Sequence, residues 1–311
     1  MSASIVVEQM IVIFILIFSG YFMYRKKMVN GDTSKALSNI VINITNPAIL
    51  ILSAFDDGPK ESLKDLGIAS LAIVSVYIVL IAVSCLIPIL LKVDKSSRYA
   101  YKMLSIFGNI GFLGIPLVQA LIGADALIYV SLCCLVFNVL IYTYGLSSLK
   151  KAAGITDDRT SLRTTFGKII NAGTVSAVIT VVLYLANLPV PEFIKETFSY
   201  AANCTTYLSM IVLGIAVAQM VPKEMFSDMK LYIFIVIRQI IIPIVIGMIL
   251  SVFISNEKIL HTLVIEFAVP AGSMSLMFSK QLGLDARIIS KGVILTTLLS
   301  IITIPIVTII L

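Results

Sequence analysis

Charge is scarce in this sequence. Of 311 residues, 13% are Asp, Glu, Lys or Arg, against 59% hydrophobic. A water-soluble domain of this length does not carry that balance. Histidine is scarcer still, with His261 alone, so an HExxH metalloprotease site is excluded, and no GxSxG occurs. The four cysteines, Cys85, Cys133, Cys134 and Cys204, all lie within apolar runs and form no CxxC pair. That excludes a secreted disulfide framework and offers no metal cluster. Hydrolysis needs a nucleophile, or a metal with a base. Neither is visible, so neither enzymatic activity nor a metal or organic cofactor is expected. The net charge of +6 invites a nucleic-acid partner, but the basic residues are scattered among short loops. No nucleic acid is expected.

What the sequence has is long apolar runs, with a mean hydropathy of +1.05. The solvent for most of the chain is therefore a lipid bilayer. The first run, Ser4 to Tyr24, is too long for a signal-peptide core, and no small-residue cleavage site follows it. It reads as a retained span. A helix needs about 20 apolar residues to cross the hydrocarbon. Ten candidates follow, at about 4–24, 34–54, 67–91, 98–122, 126–146, 164–187, 194–220, 231–254, 259–282 and 286–311. The fold expected is an all-α integral membrane protein. The longest loop, 147–163, is polar and divides the chain near its middle.

Sidedness follows from Lys and Arg in the loops. The odd loops hold Arg25, Lys26, Lys27, Lys92, Lys95, Arg98, Lys150, Lys151, Arg159, Arg163, Lys223, Lys230, Lys280 and Arg287. The even loops hold Lys60, Lys64, Lys195 and Lys258. The odd loops, including the central one, are expected in the cytoplasm of a cell-membrane protein, with both termini outside. The five spans of the second half begin about 160 residues after those of the first. At that shift Asn43-Ile-Thr45 meets Asn203-Cys-Thr205, and Gly123-Ala-Asp125-Ala126 meets Gly283-Leu-Asp285-Ala286. Five spans per half make the second half enter from the opposite side. The domains expected are 1–146 and 164–311, two inverted five-helix repeats joined by 147–163. This is a common transporter plan, with the site at the midplane where the halves meet.

Two spans contain breakers in matching places. In "SIFGNIGFLGIPLVQALIGAD", 105–125, Pro116 has no N–H, clashes with the Phe112 carbonyl and biases Ile115 away from the α region. Gly108, Gly111 and Gly114 recur every third residue and admit a neighbouring backbone, and Asn109 adds a donor and an acceptor. In "HTLVIEFAVPAGSMSLMFSKQLG", 261–283, Pro270 frees the carbonyl of Glu266, and Gly272, Ser273 and Ser275 follow. Broken fourth and ninth helices at corresponding depths point to a binding site. Half-helix N-termini attract anions.

The segments "GNIGFLGIPL" (108–117), "VPAGSMSL", "LGLDARIISKGVILTTLLSIITIPIV" (282–307) and "NIVINITNPAIL" (39–50) resemble the auxin efflux carrier family, which joins plant PIN-type carriers with bacterial permeases. The likeness covers nearly the whole chain, and the wider fold is similar to that of sodium–bile acid symporters. The resemblance implies that the fourth and ninth helices cross at their prolines. It implies a scaffold of spans 1, 2, 6 and 7, and a moving transport domain of spans 3–5 and 8–10. It implies small organic anions as substrates, such as auxin, malate or malonate, and a possible homodimer. Carried onto this chain, Asn109 and the backbone around Gly111, Gly114, Pro116 and Pro270, with Ser273 and Ser275, would hold a carboxylate. Asn43, Asn46, Asn203 and Thr205 would face it from the scaffold.

The third span, 67–91, has no charged residue, unlike plant members of the family. Glu266, with Asn109, is therefore the candidate for the coupling ion, either Na⁺ or H⁺, since an intramembrane carboxylate is functional by default. Arg238 in span 8 either attracts anions in the inner vestibule or snorkels to the surface. The function expected is alternating-access transport of organic anions, of elevator or rocking type. The alternatives are a sodium-coupled symporter, or a channel or sensor on the same fold.

Overall fold

The structure is a computed structural model and describes residues 3–55, 60–155, 167, 169–219 and 228–310. Its regular structure is helical: α1 (Ala3–Arg25), α2 (Gly31–Ala54), α3 (Leu63–Leu90), α4 (Arg98–Ile106), α5 (Ile110–Leu121), α6 (Ala124–Ala152), α7 (Ala172–Ala186), α8 (Glu192–Ala218), α9 (Met229–Phe253), α10 (Glu257–Ala268), α11 (Ser273–Gln281) and α12 (Arg287–Ile310). Seven of these, α1, α2, α3, α6, α8, α9 and α12, are long and apolar enough to cross a membrane. The expected fourth span divides into α4 and α5, and the ninth into α10 and α11. α7 covers part of the expected sixth span. The start of that span, residues 156–163 of the central loop with Arg159 and Arg163, and Lys223 lie outside the described residues.

Side-chain caps set many of the helix starts. Asn30, Ser62, Asn109, Asn171, Asp228 and Asn256 each accept a hydrogen bond from a first-turn N–H of the helix that follows. Such a cap contributes about 1 kcal/mol. α6 runs six residues past the expected boundary at 146, to Ala152. Lys150 and Lys151 lie in its last turn, where positive charge favours the C-terminal dipole.

Pro270 ends its helix as expected, α10 stopping at Ala268, but Pro116 acts differently. Pro116 does not break its helix, and Ile115 stays helical at φ −52°, ψ −56°. The interruption lies upstream, at Phe107–Asn109, where Phe107 is extended. Pro116 instead follows a π-helical turn, Ile110–Gly114. In that wider register the bond a proline cannot make belongs to the carbonyl five residues back, which is Gly111 rather than Phe112. Asn46 Nδ2 of α2 takes the Gly111 carbonyl at 3.0 Å. The same relation recurs at Val41–Thr45 before Pro47 and at Ile237–Ile241 before Pro243. A proline that opens a π turn keeps the helix continuous and re-aims the side chains beside it.

α1 packs along α8, and α2 packs on α7 and α8. α3 packs on α4 and α6, and α12 packs on α4, α9 and α10. Loops gather at two ends. At one, Lys258 binds Glu61 at 2.7 Å and Asp125 at 2.6 Å, and the Glu61 N–H donates to the Tyr184 hydroxyl. These are the even loops of the sequence. At the other, Lys230 Nζ donates to the Lys92 carbonyl at 2.7 Å and the Tyr99 hydroxyl to the Asp285 carbonyl at 2.6 Å. There Arg287, hydrogen-bonded to its side chain, holds the Asp285 carboxyl down to about 2.

α1 and α8 touch backbone to backbone. A methyl on Gly214 would collide with the Ile17 carbonyl, and one on Gly20 with the Ile211 carbonyl. Gly67 on α3 has open space. Gly214→Ala is therefore expected to cost about 1–3 kcal/mol through overpacking, seen as a lower melting temperature in detergent. Gly67→Ala should leave it unchanged or slightly raised, because alanine is the better helix former.

Candidate functional site

The two interruptions meet. Gly108 and Ala271 form an antiparallel bridge. The Asn109 N–H donates to the Pro270 carbonyl at 2.7 Å, and the Gly272 N–H to the Phe107 carbonyl at 2.8 Å. Groups released by unwinding one helix are satisfied by the other, which in hydrocarbon avoids several kcal/mol per unpaired group. The approach needs glycine: a Cβ on Gly272 would sit 2.7 Å from the Gly108 carbonyl oxygen. Thr296 of α12 supports the second strand, its hydroxyl accepting from the Ala271 N–H at 3.1 Å. Gln239 Nε2 in turn donates to the Thr296 carbonyl at 3.0 Å.

The crossing separates the ends of four short helices. α4 and α10 end at it with their carbonyls, and α5 and α11 begin at it with their N–H groups. Arg238 serves the carbonyl side. Its side chain is 3% exposed, with Nε 3.3 Å from the Leu104 carbonyl and Nη1 2.8 Å from the Phe267 carbonyl. One guanidinium thus caps the C-terminal turns of α4 and α10, and it neither snorkels nor opens onto a vestibule. The π turn before Pro243 sets its direction.

On the N–H side, Asn109 caps α5 with Oδ1, at 3.4 Å from the Phe112 N–H, while its buried Nδ2 has no hydrogen-bond partner. Asn46 gives its Nδ2 to Gly111 and leaves Oδ1 unpartnered. Thr45 of α2 and Thr205 and Ser209 of α8 are buried with unpartnered hydroxyls. α8 packs against the π turn of α5. Buried polar atoms are normally paired, so these unmet donors and acceptors make the N–H side the candidate site. On α11, Ser275 is buried with an unpartnered hydroxyl, whereas Ser273 is exposed.

Asn43 and Asn203 are not brought to this cluster. Both are exposed, Asn43 donating to the Asn39 carbonyl and Asn203 to the Ser199 hydroxyl of its own helix. The sequence reading missed Thr45, Ser209, Gln239 and Thr296. The repeat match of Thr45 with Thr205 was a signal for Thr45, whereas Ser209, Gln239 and Thr296 offered only a polar side chain in an apolar run.

Glu266 lies on α10, 2% exposed, and neither carboxyl oxygen has a hydrogen-bond partner. It fills the space left by Gly114: a Cβ there would be 2.6 Å from Oε2 and 2.7 Å from Oε1. Gly114 thus admits a carboxyl side chain rather than a neighbouring backbone. The Gly114 N–H donates to the Asn109 carbonyl at 3.1 Å. The carboxyl therefore rests on the same first turn that Asn109 caps.

Removing Arg238 would strand two buried carbonyls. Arg238→Met is expected to destabilise the protein by about 3 kcal/mol or more, since hydrogen bonds from charged groups contribute about 1.5–3 kcal/mol each. Arg238→Lys should recover part of this, because an ammonium lacks the fork that spans both carbonyls. Thermal unfolding of the purified variants checks the order wild type, Lys, Met.

Residues 5–308 match the profile of the membrane transport protein family. An uncharacterized transporter of Methanocaldococcus jannaschii is 24% identical over 304 residues, 96% of each chain. Helices long and apolar enough to span a bilayer, and a profile match over almost the full length, lead to one assignment: the chain is a multi-pass membrane protein that belongs to the membrane transport protein family, that of the auxin efflux carriers.

Proposed function

We propose that the protein is a secondary carrier of small organic anions, mono- or dicarboxylates, working by alternating access. The observation that carries this reading is the bridged pair of interruptions, Gly108 against Ala271. It aims the N-terminal ends of α5 and α11 at one region, beside unpartnered polar atoms of Asn46, Asn109 and Thr205. Helix N-termini with free donors favour a carboxylate. The chain then spans the membrane ten times, counting α4 with α5 and α10 with α11 as one span each. The spans form two inverted five-helix repeats, and the crossing lies at the midplane.

In this reading α1, α2, α7 and α8 are the scaffold, and α3–α6 with α9–α12 move against it. The packing of α8 on α1 and α2, and of α2 on α7, supports the division, and α7 on α6 and α1 on α12 are then seams between the two sets. Asn46, bonded to Gly111, is then a contact that is made and broken as the bundles move. Lysine and arginine concentrate in the odd loops, which places the central loop in the cytoplasm and both termini outside. The transported anion, not a cofactor, occupies the site, and Glu266 carries the coupling ion, Na⁺ or H⁺. No catalysis is proposed.

Asn109→Ala keeps the backbone bridge and removes only the cap and the free amide. Uptake into proteoliposomes should fall to background, with stability lowered by about 1 kcal/mol. Wild-type uptake in that variant removes Asn109 from the site. In the same assay Glu266→Gln should abolish the dependence of uptake on pH or on Na⁺, and unchanged dependence clears Glu266 of that role.

A further inference from the structure

We propose that the exchangeable cation of the crossing is a proton on Glu266, and that Arg238 is a fixed cation standing where a sodium ion would otherwise bind. The inference rests on the reading of the crossing as an anion carrier and names its coupling ion.

A sodium ion, like other hard cations, needs several oxygen ligands. On its α5 side the Glu266 carboxyl meets no side-chain oxygen. Both oxygens lack hydrogen-bond partners, and the α5 wall against them is Gly114. The titratable groups near enough to interact electrostatically with it are Cys133 and Cys134 of α6 and Tyr77 of α3. None of these is a second carboxylate that would share a metal cation with Glu266. From α9 the charged group is Arg238, which also interacts with Tyr77. The described residues of α5 and α11 that adjoin the crossing, 110–117 and 273–279, carry no ionisable side chain. Among the described residues, no cluster of three His, Cys, Asp or Glu could hold a metal ion.

The freed carbonyls of α4 and α10 are oxygen ligands at the crossing, and the guanidinium holds two of them. Each helix C-terminus carries about half a negative charge, so the two together are balanced by one guanidinium. A metal cation there would add a positive charge that neither helix C-terminus is left to balance. A proton needs no ligand shell. It leaves water on one side of the membrane, bonds to a Glu266 carboxyl oxygen, neutralises it, and returns to water on the other side.

The position of the carboxyl makes the proton count. Through Gly114 it rests on the first turn of α5, capped by Asn109. A carboxylate there opposes an anion at that helix end, and a neutral carboxyl does not. Proton binding and anion binding therefore favour one another, reciprocally, and the two travel together.

The test needs no transported substrate, so it stands apart from the uptake assay that decides the carrier reading. Infrared spectra of the full-length protein in lipid are titrated between about pH 4 and 9, in sodium chloride and in choline chloride. The expected result is a carboxyl C=O band that comes and goes with pH, is lost in Glu266→Gln, and has the same midpoint in both salts. Glu266→Asp, which keeps the carboxyl, should move the band, and it serves where Glu266→Gln does not fold. A midpoint that shifts with sodium overturns the proposal. So does a sodium-specific rise in melting temperature, or a spectrum with no titrating band assigned to residue 266.

Discussion

In a hydrocarbon solvent no backbone N–H or C=O can be left to water, and that constraint governs the centre of this protein. Two helices are interrupted inside the apolar part of the chain, and neither can satisfy its own opened turn. They satisfy each other. Asn109 and Gly272 donate across the bridge to Pro270 and Phe107, and Arg238 covers carbonyls at Leu104 and Phe267 that the bridge does not reach. Gly108 and Gly272 are the small residues that let these groups come within bonding distance, and Gly114 leaves room for the Glu266 carboxyl. If either interruption were closed into a regular helix, the other would hold unpaired polar groups in oil.

Sorting the helix ends follows from that pairing. The C-terminal ends of α4 and α10 lie with the guanidinium, and the N-terminal ends of α5 and α11 point elsewhere, toward atoms without partners. The region is thus polarised without a surface charge pattern and with little mobile charge of its own. Glu266 is the exception. It is the one buried carboxyl among the described residues, and it reaches α5 only because residue 114 is glycine. Asn46 ties the same turn to α2, so the polar centre touches both sets of helices whose relative motion would open it.

The coarse plan could be read from the residues because membrane spans announce themselves by length and hydropathy. The ninth interruption was legible at Pro270, where the helix does end. The fourth was misplaced by about two turns. Pro116 has the same local chemistry as Pro270, yet its lost bond is absorbed by a π turn and by Asn46, which lies 65 positions from the Gly111 carbonyl it serves. Pro47 and Pro243 behave alike, so an intramembrane proline predicts either a break or a π turn, and tertiary partners choose between them. Arg238 was visible as a charge in an apolar run, but its two carbonyl partners lie 134 and 29 residues distant. Asn43 and Asn203 were singled out by repeat symmetry, which locates depth and leaves the facing direction open.

The claim at the centre is that the crossing holds an organic anion and is exposed to each side of the membrane in turn. Counterflow measures this most directly. Purified protein in liposomes preloaded with a mono- or dicarboxylate is given a trace of the same labelled anion outside. An alternating site takes up the label transiently, above its equilibrium level, with a rate that saturates as the external anion is raised. Flux that rises without saturation, accompanied by unitary currents, would contradict the account and make the crossing a pore.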